Sequence, residues 1–169
     1  YQVLFYLKEF DNLTTELNEK LKLINKDNQF YNEFLDGATL MILFNEKDEE
    51  LSLFSEGLLE IKKRNYSEAI KKFDLLSKST AEIINNICSY YLGYIYINIH
   101  DYTLAKNTLS FPTSNNIFSE LTLLLSSELH DYVIKDINTA ADGYMNFMGN
   151  FKNSIFYQEI RLRLEEIIG

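Results

Sequence analysis

Residues 93–109 of this 169-residue chain read GYIYINIHDYTLAKNTL, and the same pattern of residue types occurs once before and once after this stretch. Residues 57–73 read GLLEIKKRNYSEAIKKF and lie 36 positions earlier, while residues 128–144 read ELHDYVIKDINTAADGY and lie 35 positions later. Self-similarity at such a period is the sequence signature of an array of helix pairs. The repeat therefore predicts a fold built from similar helical hairpins.

The positions that the three stretches share have mechanical reasons. Gly57 and Gly93 fall in the first helix of a pair, where the absence of a side chain lets the second helix approach closely, and Glu128 takes that place in the third stretch. The second helix carries a small residue early and a large one a turn later, which we expect to fill the next layer of the core. These residues are Ala69, Ala105 and Ala140, followed by Phe73, Leu109 and Tyr144.

A short polar turn stands between the two helices of each pair. Arg64, His100 and Lys135 each precede an Asn or Asp residue. Such a residue suits the position just before a helix, because its side chain accepts a backbone N–H that has no helical partner. Each helix pair also leaves an apolar face uncovered, and stacking of the next pair is expected to cover it.

This arrangement resembles the tetratricopeptide repeat family over about residues 50–148. The third unit lacks the family's glycine, and the chain has no tryptophan. The resemblance implies stacked helix hairpins whose first helices line a concave groove. The matching residues are Gly57, Ala69 and Phe73 in the first unit, and Leu92, Gly93, Tyr96, Ala105 and Leu109 in the second, with Pro112 nearby.

We therefore predict an all-α fold, a tetratricopeptide-like α-α superhelix of about three degenerate hairpins with a C-terminal capping helix and extra N-terminal helices. The predicted parts are N-terminal helices at 1–45 and a repeat region at 46–169, with units at 48–78, 82–112 and 117–149 and a cap at 154–168. Apolar stripes at helical spacing support the flanking helices. They are Phe10, Leu13, Leu17, Leu21 and Ile24; Phe30, Phe34, Met41 and Phe44; and Phe156, Ile160, Leu164 and Ile167.

The resemblance also selects a candidate partner-binding groove on the first helices of the units. Its predicted residues are Phe54, Leu58 and Ile61, then Tyr90, Tyr94, Ile97 and Asn98, then Leu125, Leu129 and Tyr132. An apolar and aromatic strip of this length is typical of an interface. A protein or peptide partner is one possible occupant. The chain's own residues 1–44, or a second copy in a homodimer, are the alternatives.

The remaining features favour a non-catalytic interaction module or scaffold over an enzyme. The net charge of −9 repels phosphate backbones, so nucleic acid is not an expected partner. We interpret Cys88 as a buried core residue, and His100 and His130 as exposed residues instead of metal ligands, since no recurring zinc-ligand spacing is present. The sequence thus predicts no catalytic, cofactor-binding or metal-binding residues. A self-assembling structural protein with the groove as its homodimer interface is the alternative.

The order of the parts resembles membrane-anchored tetratricopeptide proteins of the bacterial envelope that act near the secretion translocon, and the tail EIRLRLEEI at 159–167 is similar to theirs. No run approaches the roughly 18–20 apolar residues of a membrane span, so no direct membrane insertion is expected of residues 1–169. The resemblance implies a tether ahead of Tyr1. It also favours the periplasmic face of the inner membrane over the cytoplasm.

Overall fold

The computed structural model describes residues 2–109 and 116–169, which form ten α-helices and contain no β-strand. The all-α class predicted from the repeat is therefore confirmed for this part of the chain. No helix within these two ranges is both long and apolar enough to cross a membrane. The helices are α1 (Gln2–Tyr6), α2 (Phe10–Leu23), α3 (Tyr31–Leu43), α4 (Asp48–Lys62), α5 (Tyr66–Leu76), α6 (Glu82–Asn98), α7 (Tyr102–Thr108), α8 (Ile117–Glu128), α9 (Ile137–Asn150) and α10 (Tyr157–Ile168).

The helix pairs begin and end close to the predicted boundaries. The pairs are α4 with α5, α6 with α7, and α8 with α9, while α10 occupies the place of the predicted cap. The predicted end of the second unit, with Pro112, lies outside the described residues. The chain forms two compact units, residues 1–76 and 77–169, so that the N-terminal helices share a unit with the first helix pair.

The first unit is held by a cluster of aromatic rings. Phe54 of α4 stacks on Phe44 with ring centroids 5.4 Å apart, and its ring meets Phe5 of α1 and Phe73 of α5 edge-on at 6.3 and 6.2 Å. Phe44, Phe54 and Phe73 are each no more than 2% exposed. Separately, α2 and α3 pack against each other, and Leu13 and Leu17 of the predicted stripe are buried.

In the second unit, two helix pairs and α10 form the core. The first helices α6 and α8 pack against each other, and α10 packs on α9. Ile160 and Leu164 of the stripe predicted for the cap are buried, 4% and 8% exposed, in a cluster with residues of α8 and α9. Cys88 is 1% exposed, which confirms its interpretation as a core residue.

The turn between the helices of each pair contains a left-handed residue at the same place. Arg64, His100 and Lys135 all have positive φ, at 58, 62 and 65°, which ends the first helix with a left-handed residue. Two of the following residues accept the expected capping bonds, Asp101 from the Leu104 N–H at 3.0 Å and Asp136 from the Thr139 N–H at 3.2 Å. A non-glycine residue in this region is uncommon, so the recurrence of this feature indicates one shared turn.

The predicted close approach at the glycines is also present. A methyl group placed on Gly57 would lie 2.8 Å from the ring of Phe73, and one on Gly93 would lie 2.3 Å from Leu109. Both distances are shorter than a carbon–carbon contact of about 3.5–4.0 Å, so no larger residue fits without movement. Ala69, Ala105 and Ala140 are completely buried, as their positions in the repeat predicted.

The third pair departs from the repeat because of a π-helical turn, Leu129–Ile134, which follows α8 directly. In the first two pairs the residue after the left-handed one donates its N–H to a carbonyl five residues back, Asn65 to Glu60 and Asp101 to Tyr96. In the third pair the corresponding bond from Asp136 spans six residues, to His130. The π-helical turn therefore inserts one residue, as such bulges do.

This insertion corrects two sequence-based interpretations. With one residue added, Ser127 and not Glu128 corresponds to Gly57 and Gly93. Ser127 is 1% exposed and faces Gly143 of α9, where an added methyl group would lie 2.3 Å from the Ser127 Oγ. His130 moves to a core position as well: it is 4% exposed, so the prediction that it is exposed is wrong.

Candidate partner-binding site

The structure places the predicted groove residues in three environments. Phe54 and Leu129 belong to the core, each 2% exposed, and neither lines an open face as predicted. Asn98, Tyr94 and Tyr132 are exposed, the two tyrosines by 38% and 53% of their surface. The partly buried residues are Leu58, Ile61, Tyr90, Ile97 and Leu125.

The prediction for Leu129 failed because the third pair was aligned with the first two in a register that was wrong by one residue. Once the inserted residue is counted, Leu129 corresponds to Ile95, which is itself completely buried. Leu124 then corresponds to Tyr90, and Glu128 corresponds to Tyr94. The face that was predicted to be apolar in the third pair therefore carries a carboxylate.

Phe54 is buried for a different reason, which lies in the first unit. The hydroxyl of Ser55 donates to the backbone carbonyl of Phe5 at 2.9 Å, and Lys8 forms an ion pair with Glu56. Together with the Phe5 ring, these contacts hold α1 against α4. In this helix pair, the chain's own N-terminal residues cover the predicted groove position, as one of the alternatives had it.

In the second unit the corresponding region is open. A cavity of about 280 Å³ lies where α6, α8 and the start of α10 meet. Its walls are mainly apolar and aromatic, with two carboxylates among them. The lining residues are Tyr90, Leu121, Leu124, Leu125, Glu128, Phe156, Glu159 and Ile160.

Glu128 is the main electrostatic feature of this cavity. Burial raises the pKa of its carboxyl group, and the negative charges of Glu159 and Asp131 raise it further. Within residues 2–109 and 116–169, neither Glu128 nor Glu159 forms a hydrogen bond or an ion pair with another side chain. The pKa of the Tyr90 hydroxyl is raised as well, chiefly by burial and in part by the charge of Glu128. The cavity therefore has negative potential with no resident cation from the described residues.

The position of α10 depends on a polar cluster beside the π-helical turn. The Asp131 carboxylate, whose side chain is fully buried, accepts two hydrogen bonds from the Arg163 guanidinium at 2.8 Å each and one from the Tyr144 hydroxyl at 3.0 Å. The Arg163 bonds lower the pKa of Asp131, while burial raises the pKa of Tyr144. Arg163 also lies over the ring of Tyr132, 5.1 Å from its centroid. Bidentate pairs of this kind have strict geometry, so the cluster fixes α10 relative to α8.

His130 precedes Asp131 in the chain, but its side chain forms a hydrogen bond with the backbone of α8 and not with this cluster. Its Nδ1 lies 2.8 Å from the Ser126 carbonyl oxygen and donates a hydrogen bond to it. The other ring nitrogen, Nε2, forms no hydrogen bond with a described residue. The described part of the chain also contains no group of three or more side chains arranged as metal ligands.

A second depression of about 330 Å³ lies in the first unit between α2 and α3. It is lined by apolar side chains and by neutral hydroxyl and amide groups, without a titratable residue. These residues are Thr14, Leu17, Asn18, Ala38, Met41, Ile42 and Asn45. Nothing in this depression selects one kind of ligand, whereas the carboxylates of the second unit do.

Sequence reasoning found Tyr90 and Leu125 of the cavity and missed the rest. Glu128 was missed because the inserted residue has no recognisable sequence signal. Phe156 and Ile160 were identified as the apolar stripe of a cap, which describes their burial but not their contribution to a cavity. Glu159 could have been noticed as the acidic residue beside that stripe. Comparison of the chain with protein-family models, with curated proteins and with solved structures gave no match.

Proposed function

We propose that this chain is a non-catalytic protein-interaction module of tetratricopeptide-like helix pairs, and that its partner binds across α6, α8 and α10. One observation carries the proposal. The cavity at Tyr90 is open, whereas the corresponding residue of the first pair, Phe54, is closed over by Phe5 and Phe44 of the same chain. The continuous superhelix that the family resemblance implies stays a prediction.

The residues around the cavity are of the types that dominate binding energy at protein interfaces. Tyr94, one turn from Tyr90, and Tyr132 both expose a large part of their rings. A tyrosine supplies a rigid apolar surface with a polar tip, and such residues are enriched among the anchors of interfaces. The Tyr132 ring is further held by Arg163, which reduces the entropy that binding would cost.

The proposal can be tested by selecting peptides from a random displayed library on the immobilised full chain. For an enriched peptide, Tyr94→Ala should weaken binding by about 1–3 kcal/mol, the size expected of an aromatic anchor. Lys71→Glu is the matched control, because Lys71 is an exposed residue of α5 that forms an ion pair with Glu68 of its own helix. The melting temperature of each variant shows whether folding is intact. Peptides that bind Tyr94→Ala as well as the parent chain would contradict the proposed face.

A homodimer that uses the same face is the alternative function. Light scattering distinguishes the two, since a tight dimer in the absence of any peptide supports self-assembly. The two unpaired carboxylates at the cavity count against it, because a symmetric interface would bring four of them together. The envelope location and the membrane tether implied by the tail at 159–167 stay proposals that rest on the resemblance alone.

A further inference from the structure

We propose that the cavity at α6, α8 and α10 receives a lysine or arginine side chain from an apolar segment of the partner protein. This inference rests on the proposed function, because it names the chemistry by which the same face would recognise its partner. It depends on three properties of the cavity, namely its size, its walls and its charge.

The size suits a single long side chain. The cavity measures about 280 Å³, which is just below the roughly 300–1,000 Å³ of sites that enclose a drug-sized ligand. It lies among three helices and is partly open to solvent, so a side chain could enter while its backbone stays outside. Because Asp131 and Arg163 fix α10 beside α8, the cavity exists before any partner arrives.

The walls suit a side chain with an apolar stem. The buried side chains of Leu124 and Ile160 line the cavity together with the rings of Tyr90 and Phe156. Lysine and arginine pack their methylene groups along such surfaces while keeping the charged head in a polar place. A cation beside an aromatic ring gains a further attraction from the ring electrons.

The charge selects a cation over a neutral or acidic group. Glu128 is partly buried and Glu159 lies at the same cavity, and neither has a cationic partner in the described ranges. The nearby Asp131 is already neutralised by Arg163, so its charge is not available to a ligand. A basic head group would compensate a carboxylate that is otherwise penalised by burial, and this compensation would occur only in the complex.

A second copy of the chain is a poor source for that basic group. The chain carries a net charge of −9, so two copies repel each other at long range. The apolar and acidic cavity therefore complements a partner segment that carries a basic residue beside apolar residues. A free organic amine has the same chemistry as a lysine head group but lacks the flanking apolar residues.

The test uses the full chain and peptides enriched from the random library. If the inference is right, the enriched peptides share a lysine or arginine beside apolar residues. Replacing that residue by norleucine, which keeps the stem and removes the charge, should weaken binding by about tenfold or more at low salt. Glu128→Gln should weaken binding of the basic peptide by a similar factor. The Glu128→Gln variant and the parent chain should bind the norleucine peptide with equal affinity.

Glu165→Gln is the matched control, since it removes one negative charge from an exposed position of α10 that, among the described residues, pairs only with Arg161. It should leave the affinity within about twofold, the size expected of a screened charge away from the contact. If Glu128→Gln does not fold, the exposed Glu159→Gln replaces it, with the same expected loss.

The outcomes separate the two proposals. This inference would be overturned if peptides that need Tyr94 for binding share no basic residue, or if Glu128→Gln leaves their affinity unchanged. Either result would leave the proposed interaction face intact. Failure to enrich any peptide that depends on Tyr94 would overturn the proposed function as well. Butylamine or methylguanidinium that competes as strongly as the peptide would overturn the protein origin of the cation.

Discussion

The first and second helix pairs have the same packing between their two helices, and they differ in what covers the first helix of the pair. Both have a left-handed residue at the turn, a glycine in the first helix and a large residue from the second helix against that glycine. In the first pair, Phe54 is buried under α1, while in the second pair, Tyr90 borders an open cavity and Tyr94 is 38% exposed. The repeat thus determines how two helices pack, and residues outside the repeat determine which face stays available.

The strongest test of this difference compares Phe54→Ala with Tyr94→Ala. Phe54→Ala should lower the free energy of unfolding by about 3–5 kcal/mol, because it leaves a cavity among packed aromatic rings. Tyr94→Ala should change it by less than about 1 kcal/mol, because the ring is exposed. Chemical denaturation of both variants measures the contrast. Equal losses would show that the two faces are covered to the same extent.

The next prediction concerns the cluster that holds α10 at the open face. Asp131→Asn should destabilise the chain by about 2–3 kcal/mol at pH 7, because it removes a buried charge from a bidentate pair with Arg163. Asp142→Asn, at an exposed position of α9, should have little effect. Denaturant titration of both variants at pH 7 tests this.

The pH dependence of Asp131→Asn has a definite sign. The folded-state pKa of Asp131 is lowered, so its charge stabilises the fold above the ordinary carboxyl pKa of about 4. This stabilisation is lost as the pH falls through the folded-state value. The gap in stability between the parent chain and Asp131→Asn should therefore narrow below about pH 4, and a constant gap would exclude the ionised carboxylate as its cause.

A smaller effect tests what the two pairs have in common. Gly93→Ala should destabilise by about 1–2 kcal/mol, since overpacking against Leu109 outweighs the gain in helix propensity. Gly57→Ala should act in the same direction and more weakly, because the Phe73 ring atoms are farther away. Gly149→Ala in α9 has open space around it and should raise stability by about 0.5–1 kcal/mol. Thermal melting ranks the three variants. Stabilisation by Gly93→Ala would contradict the close helix contact that the two pairs are said to share.

The smallest effect concerns the charge at the open face. Glu128→Gln should raise stability at pH 7 by less than about 1 kcal/mol, because burial penalises the ionised carboxylate of the parent chain. The raised folded-state pKa means that this penalty develops as the pH rises above about 4, so the gain should vanish in more acidic solution. Melting curves of the parent chain and of Glu128→Gln at pH 3 and pH 7 test this. A loss of stability in Glu128→Gln at pH 7 would indicate that the ionised carboxylate makes a favourable interaction in the folded chain.

The sequence by itself determined the all-α class, the three helix pairs, the turn residues and the burial of residues such as Ala105, Phe73 and Leu164. These features follow from contacts between residues three or four positions apart, or between two helices joined by a short turn, and such contacts leave a periodic pattern in the chain. The family resemblance added a candidate face, of which Tyr90 and Leu125 line the cavity.

Only the tertiary structure decided which face is open and what charge it carries. The cover over Phe54 comes from Phe5, the inserted residue of the π-helical turn brings Glu128 to the position of Tyr94, and the Asp131–Arg163 pair places α10 at the cavity. The first and third features depend on contacts between residues tens of positions apart, and the second depends on one extra residue in a helix. Neither kind of feature leaves a periodic signal in the sequence. Local periodicity records how a helix packs, whereas the identity of a distant neighbour depends on the path of the whole chain.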